Sequence, residues 1–297
     1  MRTLYRVMMK RLWQDKFMRI LAVLALLWGV YTGLETGAAR KYQYLYVDDF
    51  YFNMAMVFFS AMLCFSLGRM YRDGTVRNAL IAGYTRVQHY AAAMLTAVTA
   101  AVIWFLLTVL PMMLMMLPEY HRLNEKAVIE AFAMIFFCDL FGGIAAALCC
   151  ELRRSQLGGV IMCFAVVFGL MFLLECTNQA VNGQEWYEES LTDVDGMPIF
   201  DENGNWVRVK RHNFWYDEPL HSVMMTLHRA NPLTGISDLS LVFQDSRDWN
   251  AEEQTKYRAE LDTMALDTME KSFPVMIPVM ILVPLCGGLL FRRRDIR

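Results

Sequence analysis

The chain has 297 residues, of which 56% are hydrophobic and 20% charged, a balance too apolar for a water-soluble domain of this size. A formal net charge of −2 carries no basic excess, so nothing in the composition points to nucleic acid. Six apolar runs, near 17 to 34, 50 to 68, 91 to 117, 127 to 150, 157 to 175 and 273 to 291, approach the length that crosses a hydrocarbon core about 30 Å thick.

The expected fold is an all-α polytopic membrane protein with six transmembrane helices. It divides into residues 1–176, with spans one to five, an extracytoplasmic insert over 177–272, and residues 273–297, with the sixth span and a basic tail. Lys and Arg number six in 1–19, four in 69–90, two at Arg153 and Arg154, and four from Arg292 onward, against two in each short loop on the other side. This bias puts both termini in the cytoplasm, with 177–272 outside, and suggests a cell membrane. The insert holds 18 acids against eight bases, so the outer face is acidic and the inner face basic.

Residues 1 to 19 read as an amphipathic helix lying on the inner leaflet and feeding the first span. Leu4, Tyr5, Met8, Met9, Leu12 and Trp13 share one side, and Arg2, Arg6, Lys10 and Arg11 the other. Between the second and third runs lies RMYRDGTVRNALIAGYTRVQHY, residues 69 to 90. Gly74 gives a turn and Thr75 an N-cap, and Val76, Ala79, Leu80 and Gly83 recur at helical spacing opposite Arg77 and Asn78. The spacing predicts a short amphipathic helix. It suits an interfacial helix on the lipid, and equally a docking helix whose apolar side enters a partner's groove while its arginines meet acids there.

The third run contains Pro111, and its methionines read as flexible packing. In the fourth run Asp139 falls near the centre, where an exposed carboxylate costs about 2.5 to 3.5 kcal/mol, so it should face protein or water. It reads either as a hydrogen-bonded structural residue or as a polar point on a translocation path. Gly142 and Gly143 with Ala145 to Ala147 would let another helix come close. All seven cysteines lie in or beside spans, and with the five histidines read as loop residues no metal site is expected.

In the insert, turn signals at Asp195-Gly196 and 201–205 predict a hairpin of Met197 to Phe200 with Trp206 to Lys210. His221 to Leu227 and Asn250 to Met269 read as helical, and Asn231-Pro232 breaks the chain before the Leu239 to Phe243 run.

The order Asp73-Gly74-Thr75-Val76-Arg77-Asn78, then Ile81-Ala82-Gly83-Tyr84-Thr85-Arg86, resembles the loop between the second and third spans in permeases of the type-2 ATP-binding-cassette (ABC) transporter family. The N-terminal helix, an Asn-Pro before the last span, and the ending Phe291-Arg292-Arg293-Arg294-Asp295-Ile296-Arg297 are similar to that family too. The resemblance implies a permease subunit of an ABC exporter, with a cytoplasmic coupling helix at 73 to 86 carried by Asp73, Gly74, Thr75, Arg77, Asn78, Leu80, Ile81, Gly83 and Arg86. It implies an ABC ATPase subunit and a second permease chain, identical or homologous, as partners alongside membrane lipids. ATP and Mg would be cofactors of that ATPase, none belonging to this chain, since no GxxxxGK[ST] occurs in it. The competing expectation is a membrane-anchored sensor or assembly factor that binds a ligand through 177–272. A secondary transporter is less suited, since the chain has no repeat and Asp139 stands nearly alone.

Overall fold

A computed structural model describes residues 1–39, 49–116, 125–182, 185–190, 207–234 and 251–293. Its helices are α1 (Arg2–Gln14), α2 (Lys16–Ala39), α3 (Asp49–Arg72), α4 (Thr75–Ile81), α5 (Arg86–Met116), α6 (Glu125–Arg153) and α7 (Gln156–Asn182). After these come strands β1 (Trp186–Ser190) and β2 (Arg208–His212), a 3-10 turn (Phe214–Tyr216), α8 (Leu220–Ala230) and α9 (Ala251–Arg293). Six helices are long and apolar enough to cross a membrane, which makes this a multi-pass helical membrane protein: the spans are Lys16–Leu34, Met54–Arg72, Arg86–Met115, Phe132–Arg153, Gln156–Asn178 and Glu270–Phe291.

The spans pack through small residues, because in hydrocarbon close backbone approach takes the place of the hydrophobic drive. Gly29 and Gly33, four apart on α2, meet α5; a Cβ on Gly29 would stand 2.2 Å from the Thr108 carbonyl oxygen, so no larger residue fits. Gly142 faces Ser60 of α3 and Gly143 faces Ala97 of α5, as the run of small residues in the fourth span predicts. With Ala145, Ala146 and Ala147 also buried, α6 forms the centre of the bundle. Outward sides of α2 (Ile20, Val23, Leu27), α7 (Ile161, Phe168, Phe172) and α9 (Ile281, Leu285, Leu289) stay exposed, an apolar coat of the kind hydrocarbon solvates.

Several expectations are revised. The N-terminal helix ends at Gln14 rather than running to 19, and its stripe of Leu4, Met8 and Leu12 is buried in the protein core, with Tyr5 Oη 3.1 Å from Thr99 Oγ1 of α5. Trp13 lies outside that stripe and is exposed. β2 pairs antiparallel with β1, Trp186 opposite His212; Met197 to Phe200, the expected hairpin partner, lies outside the described residues, as do both turn signals and Leu239 to Phe243. The expected helix at 250 to 269 and the sixth span form one helix, α9, of 43 residues, so the expected boundary after 272 falls within it. At about 1.5 Å per residue it is roughly 65 Å long, twice the hydrocarbon thickness.

Candidate functional site

The ends of α3, α6 and α9 and the starts of α2, α5 and α7 share one end of the bundle with α4. There α4 is a single short helix of seven residues, shorter than the expected 73 to 86. Thr75 is not its N-cap. Gly74 holds that position in the left-handed region (φ 68°), and Thr75 is the first helical residue, its hydroxyl accepting from the Arg11 guanidinium of α1.

Gly83 is likewise no member of the apolar stripe. It terminates α4 at φ 90°, with Gly83 N–H donating to Leu80 O (3.1 Å) and Tyr84 N–H to Ala79 O (3.1 Å), a Schellman stop. One residue later Thr85 starts α5 with a capping box: Gln88 N–H donates to Thr85 Oγ1 (3.2 Å) and Thr85 N–H to Gln88 Oε1 (3.0 Å). The link from α4 to α5 is therefore fixed at both ends by backbone hydrogen bonds.

The apolar side of α4 is turned onto this chain. Val76 is buried, and Ala79, Leu80 and Tyr84 pack against the core. Arg77, Asn78 and Ile81 face outward, Ile81 being 75% exposed. Asp73 is exposed and paired with Arg72 (3.2 Å), and Arg86 is half-buried at the start of α5. The outward face of α4 thus offers a cation, an amide and an aliphatic side chain, a different set from the stripe that periodicity singled out.

Beneath α4 lie two buried polar clusters. Asp15 sits at the bend between α1 and α2 and caps α2, its Oδ1 accepting from Phe17 N–H (3.0 Å). It pairs with Arg69 (3.0 Å) and accepts from Ser66 (2.8 Å), both on α3. The Arg69 guanidinium also lies 5.2 Å and 5.1 Å from the ring centroids of Phe17 and Phe65.

In the second cluster Tyr71, near the end of α3, donates to Glu151 Oε2 on α6, and His89 Nδ1 of α5 lies 3.6 Å from the same oxygen. Glu151 and His89 are 3% and 2% exposed. Tyr71 lies four residues before α4 and His89 eight residues after it, so one carboxylate of α6 meets both of the helices that flank it.

Sequence reasoning missed this pair. His89 belongs to a span helix rather than a loop, as His221 and His228 belong to α8 and His212 to β2. The apolar run over 127 to 150 leaves Glu151 beyond the fourth span, yet α6 runs to Arg153. The available signal was Glu151 placed between Cys149-Cys150 and Leu152, an acid flanked by apolar residues before the basic stop.

Asp139 lies midway along α6 and is 5% exposed, on the inward side expected of it. Among the described residues no group of three or more potential metal ligands comes together.

At the opposite end the ties are neutral. Asn231 Nδ2 donates to Leu170 O (2.8 Å) of α7, and Asn231 Oδ1 accepts from Leu233 N–H (3.0 Å). Thr177 Oγ1 lies 3.1 Å from His228 Nδ1 and donates to Leu174 O (3.0 Å). With its one proton spent there, the hydroxyl accepts from an Nδ1–H tautomer. Burial, helped by the neighbouring Arg229, lowers the His228 pKa to about 4. Comparison with family models, with curated proteins and with solved structures yields no match to this chain.

Proposed function

We propose that this chain is the transmembrane permease subunit of an ATP-driven ABC exporter. The observation that carries the reading is α4, a short helix between two spans with Arg77, Asn78 and Ile81 turned outward, in the stretch whose order of residues resembles the coupling segment of that family. In this reading the α4 end faces the cytoplasm, where an ATPase subunit docks on that outward face. Two such chains flank the path.

The partner binds ATP and Mg and supplies the hydrolysis. Its closure presses on α4, and the displacement passes through Tyr71 and His89 to Glu151, hence into α6, the helix that bears Asp139. This chain contributes the path and the mechanical link.

The test is purification of the tagged chain in mild detergent from its native cells. A Walker-motif ATPase is expected to come with it, and to be lost from Arg77→Glu combined with Ile81→Asp while the protein stays in the membrane. Well-folded material that brings no ATPase overturns the proposal.

A further inference from the structure

The bend between α1 and α2 and the last two turns of α3 enclose an open cleft of about 420 Å³. Arg11, Asp15, Ser66, Arg69 and Asp73 line it, with Leu12 and Met70 as its apolar part. The span in α2 begins at Lys16, one residue past Asp15, and the span in α3 ends at Arg72. The cleft therefore lies at the membrane boundary, the level of lipid headgroups.

Its two carboxylates are already engaged. Asp15 is held by Arg69, Ser66 and the Phe17 amide, and Asp73 by Arg72 at 3.2 Å. A donor is left over: exposed Arg11 meets only the neutral hydroxyl of Thr75 among the described residues. Arg69 matches Asp15, and Arg72, from outside the lining, matches Asp73, which leaves the charge of Arg11 unmatched.

We propose that the cleft binds the monoanionic phosphodiester of a phospholipid headgroup. The Arg11 guanidinium donates to its phosphate oxygens beside the partly exposed Arg69 side chain, and Leu12 and Met70 meet the first carbons of the lipid. A zwitterionic headgroup fits less well, because its ammonium restores the unmatched charge. A bound headgroup ties α1 to α3 and α4, and it does so whether or not an ATPase docks on α4.

The experiment uses the full-length chain in mild detergent with equal amounts of phosphatidylglycerol and phosphatidylcholine, read by native mass spectrometry. Wild type is expected to retain phosphatidylglycerol preferentially. Arg11→Ala should cut that retention about tenfold, and so should Arg11→Gln, which keeps a donor for Thr75 but loses the charge. Lys10→Ala, which removes an exposed cation of α1 that does not line the cleft, should leave retention unchanged. Equal retention of the two lipids, an equal fall in Lys10→Ala, or release of the lipid by added inorganic phosphate each overturns the proposal, the last by assigning the cleft to a soluble anion.

Discussion

The two ends of the bundle are closed by different chemistry. At the α4 end the ties are carboxylates: Asp15 joins the α1–α2 bend to α3, and Glu151 joins α6 to both flanks of α4. At the other end an imidazole, a hydroxyl and an amide join α7 to α8 and the turn after it, with His228 held neutral by burial. Charged ties act over longer distance and survive small displacements, whereas neutral hydrogen bonds of about 3 Å are lost within a fraction of an ångström. The α4 end is thus suited to moving while connected, and the opposite end to holding one geometry.

The largest expected effect is at Asp15. Asp15→Ala removes an N-cap and strands Arg69, so thermal unfolding of the purified protein should reveal a loss of about 3 kcal/mol. Glu151→Gln tests the second tie more gently, since the amide oxygen still accepts from Tyr71 while the carboxylate beside His89 is gone. A loss of about 1–2 kcal/mol is expected, and if the tie transmits movement, hydrogen exchange in α4 should rise as well.

At the other end the response depends on acid. The unfolded chain binds a proton at His228 near pH 6.5 and the folded chain only near 4, so stability is fully present above 6.5 and is lost as pH falls through that window. Melting curves across it should fall for wild type and run flatter for His228→Asn, whose amide keeps a donor but does not titrate; parallel curves refute the assignment. The smallest effect is Gly83→Ala. No atom lies within 4 Å of the added Cβ, so strain at φ 90° alone is expected to cost about 1 kcal/mol, read as a fall in melting temperature.

Much of the fold was legible because the signal is local. Spans follow from runs of apolar residues, the short helix from Gly74 and the periodicity after it, and the close packing of α6 from its glycines and alanines. The site was legible in position but not in orientation. Val76, Ala79 and Leu80 form the stripe that periodicity predicts, yet a stripe does not say whether it meets a partner or its own chain, and here it meets its own chain. In the insert, β2 pairs with β1, a partner of which the turn chemistry at 201–205 gives no sign.

By itself, then, the sequence determined the number of spans, the short helix after Gly74, and the concentration of basic residues at one end. Each rests on composition or on neighbours a few residues apart. Only the tertiary structure decided that Asp15 meets Arg69, that Glu151 meets Tyr71 and His89, and that Ile81 rather than Leu80 faces outward. Those partners are 54 to 80 residues apart along the chain, and a buried charge identifies its counterpart only once helix packing has brought the two within about 4 Å.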